Sequence, residues 1–124
     1  MDSVRLAVFS CANYPTSHGG YFNVYGHAAE TAGIDAVVHL GDYIYEYGKA
    51  PDSGKDNSQG AGRDFPEYSD KEILTLDDYR RRYALYRTDP QLQALHATHP
   101  FIAVWDDHEV ANDAYVGGWT KKAL

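Results

Sequence analysis

The sequence is poor in cysteine and in basic residues, and it has no long apolar run. Its single cysteine, Cys11, excludes an internal disulfide. The 124 residues include 11 Lys and Arg against 18 Asp and Glu, a net charge of −7. This balance predicts no nucleic-acid-binding surface, because phosphate contacts need a basic face. No apolar stretch approaches the roughly 20 residues of a membrane span, and no charged-then-apolar leader opens the chain, so we expect neither a membrane segment nor an export signal.

What the sequence does contain is the pattern of an α/β domain. A hydrophobic fraction of 44% excludes a disordered chain, and the length is that of one domain. Apolar runs rich in strand-forming residues predict strands at 4–10, 35–40 and 101–105. A helical pattern at 21–31 lies between the first two strands and ends before Gly33. The chain therefore begins as a β-α-β unit, which predicts a parallel sheet.

The segment from about 47 to 74 is rich in Gly, Ser, Asp and Lys and has almost no apolar periodicity. It predicts a long loop, for which a substrate-binding lid and a simple surface excursion are equally good interpretations. Thr75 and Asp78 have the spacing of a capping box, which predicts a second helix. Asp89 and Pro90 predict the start of a third. We expect the second helix to turn its arginines to solvent: Arg80, Arg81, Arg82 and Arg87.

Chemically useful side chains follow each predicted strand. Cys11 follows the first strand, Asp42 the second and the cluster 106–109 the third. In parallel α/β sheets, sites form at this edge, and these side chains offer sulfur, oxygen and nitrogen donors, a mixture that suits two different metals better than one zinc ion. A lone cysteine is often a small buried apolar residue, and a Gly-Asp pair is often an ordinary turn. The cluster is the stronger signal, because burying several charges is costly unless a cation neutralises them.

Other candidates carry weaker signals. Tyr45 lies three residues after Asp42 and would supply a phenolate ligand, although aromatic packing under the loop explains it equally well. His96 and His99 have a spacing that can bind metal but no evident third partner, so we leave them out of the site. Nothing specifies a Ser-His-Asp triad, and there is neither a dinucleotide-binding glycine motif nor a P-loop.

Four motifs together resemble the alkaline phosphatase D family, the PhoD-like branch of the calcineurin-like metallophosphoesterases. They are SCANY at 10–14, HLGDYIYEY at 39–47, DYRRRY at 78–83 and WDDHEV at 105–110. The resemblance spans nearly the whole chain, and it implies hydrolysis of phosphate mono- or diesters by a metal-bound hydroxide. The implied cofactors are ferric iron (Fe3+) and calcium (Ca2+).

The resemblance also implies a role for each site residue. Cys11 and Tyr45 would ligate the iron, and Asp42 would bridge the two metals. Asp107 would ligate the second metal, and two further candidate ligands are Asp106 and Asn112. The catalytic residues would be Asp42 and His108, with His108 contacting the phosphate or the leaving group.

The implied fold is a partial metallophosphoesterase α/β sandwich, because family members continue with a further half-domain that carries more metal ligands. Without that second half we expect exposed apolar surface. We also expect weak or no activity of the isolated chain, and either a homodimer or a missing C-terminal half as partner. Relatives are commonly exported, which implies an extracytoplasmic location. Two alternatives stay open: a non-catalytic metal- or partner-binding α/β module, and a flavodoxin-like binding domain that leaves 106–109 unexplained.

Overall fold

Three parallel strands form the sheet that the sequence predicts. In the computed structural model, which describes residues 3–14, 21–48, 66–67 and 70–118, the strands are β1 (Leu6–Phe9), β2 (Ala36–His39) and β3 (Phe101–Ala103). Their order is β1-β2-β3, and both pairs are parallel. Helix α1 (Asn23–Glu30) connects β1 to β2. The prediction of an α/β fold with a β-α-β start is confirmed, although each element is shorter than the sequence pattern predicts.

The register of the strands brings three loops to one edge of the sheet. Phe9 is paired with His39, and His39 with Ala103, so the three strands end level with one another. The pairing continues into the loops, because the backbone N–H of Cys11 donates to the carbonyl of Gly41 (3.2 Å). The loops that carry the predicted site residues therefore leave the sheet side by side.

Two more helices begin where their capping residues predict. Helix α2 spans Leu76–Tyr86, and the Thr75 hydroxyl accepts from Asp78 N (3.2 Å) while Asp78 accepts from Thr75 N (2.8 Å). This reciprocal pair satisfies backbone donors of the first turn that have no partner within the helix. Helix α3 spans Pro90–Thr98, with Asp89 as its N-cap. None of the helices in the described part of the chain is long and apolar enough to cross a membrane.

The core lies on one face of the sheet, where α1 and α3 pack against each other. Aromatic and aliphatic side chains fill it, and His39 lies among them with no exposed surface. The Tyr25 hydroxyl and His39 Nε2 are hydrogen-bonded at 2.9 Å. The fully or almost fully buried apolar residues include Phe22, Tyr25, Val37, Ile44, Tyr86, Leu92 and Leu95.

The opposite face of the sheet is apolar and exposed. Val8, Val38 and Ile102 are aligned across the three strands, and Val8 and Ile102 are 54% and 57% exposed. Leu6 is 52% exposed. No helix or strand of the described residues covers this face, in agreement with the exposed apolar surface that the resemblance implies.

One prediction about α2 is wrong. Arg82 is not on a solvated face but is fully buried, and its guanidinium donates to the carbonyls of Tyr45 (2.5 Å), Tyr47 (2.7 Å) and Lys71 (3.0 Å). The physical reason is that α2 packs against backbone whose carbonyls have no strand partner. Of the predicted 47–74 loop, residues 49–65 and 68–69 lie outside the described residues, and the end at Ile73 is buried in the core.

Candidate metal centre

Backbone geometry at the ends of β1 and β2 is unusual. Cys11 and Asp42 both have positive φ angles, 60° and 52°, and Gly41 has φ 105°. A non-glycine residue in this region costs about 1–3 kcal/mol, and such residues cluster at functional sites. Both of these residues are predicted metal ligands, so the strained positions coincide with the candidate site.

The Asp42 carboxylate is the central group of the site. It is 6% exposed, and its Oδ2 lies 3.5 Å from Cys11 Sγ and 3.2 Å from the Tyr45 hydroxyl. Its Oδ1 accepts from His108 N at 3.4 Å. Burial raises the pKa of Asp42, an effect that nearby His108 opposes. Cys11 and His108, which are 31 and 66 positions from Asp42 in the sequence, thus both contact its carboxylate.

Asp42, Asp107 and His108 form a group that could hold a metal ion. Each offers one ligand atom, and these atoms all lie within 4.8 Å of one another. Asp107 and His108 belong to a short 3₁₀ helix, Asp107–Glu109, that follows β3. Carboxylate oxygens and an imidazole nitrogen are common ligands of divalent cations, so the donor set fits a metal.

His108 is held by a carboxylate that the sequence analysis did not include. The distance between His108 Nδ1 and Glu46 Oε2 is 2.7 Å, and Glu46 Oε1 accepts from Asn112 N at 2.8 Å. Burial alone would lower the pKa of His108, but the hydrogen bond and charge of Glu46 outweigh it and raise the pKa. For Glu46 the two effects have opposite signs: burial alone would raise the pKa, but the hydrogen bonds with His108 and Asn112 outweigh it and lower the pKa. The pair therefore favours imidazolium next to carboxylate, and binding of a metal by His108 would require loss of the proton on Nε2.

Tyr45 packs on His108, and its hydroxyl points to Asp42. The two ring centroids are 4.1 Å apart with planes inclined by 35°. Burial raises the pKa of Tyr45, and the charges of Asp42 and Cys11 add to the effect. A phenolate here would therefore need a cation beside it. Both interpretations of Tyr45, ligand and packing residue, are consistent with this position.

Two further predicted ligands, Asp106 and Asn112, use side-chain oxygens in hydrogen bonds within the protein. The Asp106 carboxylate caps the 3₁₀ helix and accepts from Asp107 N at 2.9 Å. The Asn112 amide oxygen accepts from the Tyr47 hydroxyl at 2.6 Å. His96, left out of the predicted site, is not in the group of three: its Nε2 is 2.9 Å from the Tyr43 hydroxyl, and its ring stacks on Phe101.

Glu46 is a buried carboxylate of the site that sequence reasoning missed, whereas Glu109 was part of the predicted cluster 106–109 but was given no role of its own. Glu109 had a readable signal, because Asp106 and Glu109 have the spacing of a capping box, and the structure has that box. Glu46 had a weaker signal: it is an acidic residue directly after the aromatic stretch 43–45. Its partner is 62 residues away, so only the fold reveals its role.

Fold and site together define an α/β protein with a candidate metal centre at the carboxyl edge of its parallel sheet. Comparison with known proteins agrees with this class. The chain belongs to the PhoD-like phosphatase family, whose model matches residues 6–123. It is 43% identical over 113 residues to alkaline phosphatase D of Bacillus subtilis (strain 168). It is also similar to a solved structure described as the structure of PhoD, with a TM-score of 0.76 and 40% identity.

The relatives are much longer than this chain. The match to alkaline phosphatase D covers 91% of this chain and 18% of the relative. The match to the PhoD structure covers 96% of this chain and 21% of that structure. The chain thus spans about a fifth of the length of these relatives, within their common α/β fold.

Proposed function

We propose that this chain forms part of a metal-dependent phosphoesterase centre that hydrolyses phosphate mono- or diesters. The observation that carries the proposal is the convergence of Asp42, Asp107 and His108, with ligand atoms within 4.8 Å, in a chain of the PhoD-like phosphatase family. The relative from B. subtilis is named an alkaline phosphatase, which supports phosphate esters as the substrate class.

The donor chemistry supports two different cations. Around Asp42 Oδ2 lie a thiol and a phenol, from Cys11 and Tyr45, and their deprotonated forms would suit Fe3+. Asp107 offers a hard oxygen that suits Ca2+, with Asp106 and Asn112 as further oxygen donors. Asp42 would bridge the two. When bound, the cations would supply positive charge that stabilises the phosphoryl group under attack and would lower the pKa of water.

The chain's own residues would orient the ester. His108 Nδ1 is hydrogen-bonded to Glu46, which leaves Nε2 as the ring nitrogen available to the site. Unprotonated, Nε2 would complete the metal group with Asp42 and Asp107, and protonated, it would instead contact the phosphate or the leaving group. The Glu46 carboxylate holds the ring in that orientation, as carboxylate partners of functional histidines commonly do. Tyr45, stacked on the same ring, limits its rotation.

Hydrolysis of p-nitrophenyl phosphate and bis(p-nitrophenyl) phosphate, with Fe3+ and Ca2+ supplied, tests the proposal. The variant compared with the wild type is Asp42→Asn, which keeps the size of the side chain and removes its charge. Metal-dependent turnover in the wild type that falls about 100-fold or more in Asp42→Asn supports the function. We expect slow turnover by this chain compared with a full-length relative, since the match leaves about four fifths of each relative outside it.

Elemental analysis of the aerobically purified chain tests the metals directly. We expect near-stoichiometric iron that is lost in Cys11→Ser, because the thiolate is the most specific donor of the set. Absence of metal from both proteins, together with no turnover, contradicts the proposal for this chain.

A second candidate is a metal- or partner-binding module without catalysis. The exposed apolar face around Val8 and Ile102 favours it, because this face suits a second copy or a C-terminal half as partner. Metal binding without turnover, together with a dimer by sizing in solution, distinguishes this candidate from the enzyme. An extracytoplasmic location is part of the enzyme proposal, and fractionation of cells that produce the complete protein tests it.

A further inference from the structure

Glu109 makes more hydrogen bonds than a simple helix cap needs. Its side chain is 8% exposed, and its Oε2 accepts from Asp42 N (2.9 Å) and Asp106 N (2.8 Å). Its Oε1 accepts from Tyr43 N (2.7 Å) and Ile44 N (3.3 Å). The capping box explains the bond with Asp106 N alone. The other three bonds go to the loop after β2, whose residues lie 65 to 67 positions earlier.

These bonds join the two loops that carry the candidate ligands. Asp42 donates its own backbone N–H to Glu109, and Asp107 and His108 lie in the same 3₁₀ helix as Glu109. The loops also touch at Gly41, where an added Cβ would lie 2.4 Å from Asp106 Cβ. Glu109 therefore stands at the junction that sets the separation between Asp42 and Asp107.

The arrangement requires a carboxylate in particular. Each oxygen accepts two N–H groups, so the NH₂ group of a glutamine would face two backbone donors whichever way its amide is turned. A buried donor that loses its acceptor is destabilised. Replacement of Glu109 by glutamine would therefore break one side of the junction without a change in side-chain size.

We propose that Glu109 is a positioning residue that holds the loops after β2 and β3 at the separation which the metal centre requires. The inference rests on the proposed function only in its last clause, because the four hydrogen bonds of the junction are between protein groups alone. It assigns Glu109 no contact with the metal or the substrate.

Amide hydrogen exchange tests the junction independently of any metal. In the wild type we expect slow exchange at the four amides that donate to Glu109: Asp42, Tyr43, Ile44 and Asp106. In Glu109→Gln we expect exchange about tenfold or more faster at some of these amides, with Val37 and Val38 of β2 unchanged. Glu30→Gln is the matched control, because it removes the same charge from an exposed residue at the end of α1.

Calorimetric titration with Ca2+ alone tests the effect on the metal centre. We expect affinity about tenfold or more weaker in Glu109→Gln, the size typical for loss of a residue that orients metal ligands. Leu95→Ala is the control for general destabilisation, because Leu95 is fully buried in the core and is not one of the candidate ligands. It should keep wild-type affinity despite reduced stability.

Hydrogen exchange and Ca2+ titration together distinguish failure of the inference from failure of the proposed function. If the wild type binds no Ca2+, the proposed function fails for that ion, and the exchange arm still decides whether Glu109 holds the junction. Unchanged exchange in Glu109→Gln, or equal acceleration throughout β2, overturns the inference, as does wild-type Ca2+ affinity in that variant. If Glu109→Gln does not fold, Glu109→Asp is measured in the same way. Failure of both to fold, with Leu95→Ala folded, assigns Glu109 to folding alone and also overturns the inference.

Discussion

The replacement Arg82→Met should be among the most destabilising single changes in this chain. Arg82 is fully buried, and its guanidinium donates to three backbone carbonyls, those of Tyr45, Tyr47 and Lys71. Methionine fills much of the same volume but donates no hydrogen bond. The change therefore leaves three carbonyls without this donor, that of Tyr47 in a buried contact and the other two in part-buried contacts.

The expected loss follows from these contacts. A buried polar group left without a partner costs about 1–3 kcal/mol, and a part-buried carbonyl costs less because water can reach it, so the three together cost less than about 9 kcal/mol. Part of this free-energy cost is offset, because the variant has no guanidinium charge to desolvate on folding. We therefore expect a loss of about 3–5 kcal/mol in the free energy of unfolding, the range observed when one partner of a buried charged network is removed.

Urea denaturation followed by far-ultraviolet circular dichroism measures this loss. With a slope of about 2 kcal/mol per molar urea, a loss of 4 kcal/mol lowers the midpoint by about 2 M. Arg80→Met on the exposed side of the same helix is the matched control and should change stability by no more than about 0.5 kcal/mol. The loss of stability in Arg82→Lys should lie between those of Arg82→Met and Arg80→Met, because an ammonium cannot reach all three carbonyls with the geometry of a guanidinium. A loss below about 1 kcal/mol in Arg82→Met would refute the reasoning.

Three further changes probe the loop junction, the core and the pH dependence. Gly41→Ala places a Cβ 2.5 Å from Asp106 N at φ 105°, so we expect a loss of more than about 2 kcal/mol by urea denaturation. Leu92→Ala removes a fully buried side chain from α3 and should cost about 2–5 kcal/mol in the same assay. Burial lowers the pKa of His39 from 6.5, so the unfolded chain binds more protons below pH 6.5. Stability should therefore fall as the pH drops below 6.5, by at most about 1.4 kcal/mol per pH unit from this group, and His39→Gln should flatten the slope between pH 5 and 7.

Each of these changes has a control or a contradicting result. Gly118→Ala has a positive φ of 131° but no atom within 4 Å of the added Cβ, so it measures backbone strain without a clash. Equal losses in Gly41→Ala and Gly118→Ala would show that contact between the loops contributes nothing. A loss below about 1 kcal/mol in Leu92→Ala would contradict the assigned core. His96, whose pKa burial also lowers, should leave a residual slope in the His39 variant, and an unchanged slope would contradict the assignment to His39.

The sequence by itself was sufficient to predict the strands and the main helices, and to place candidate ligands at one edge of the sheet. The capping residues of α2 and α3 interact with backbone groups two or three positions away, so their signals are local. Three apolar runs, each followed by polar residues, predicted the parallel strands and placed Cys11, Asp42 and Asp107 at one edge. That placement follows from topology alone, because parallel strands share a carboxyl edge.

Tertiary structure alone decided which buried charges hold the site together. Arg82 resembles the arginines on either side of it, and only the packing of α2 against residues 45–48 makes it a buried donor. Glu46 and Glu109 find their partners 62 and 65 to 67 residues away. Such partners leave no periodicity or spacing in the sequence, because the chain segments between them can vary without affecting the contact. The candidate ligands could therefore be predicted from the ends of the strands, whereas the contacts of Glu46 and Glu109 depend on how the loops meet in three dimensions.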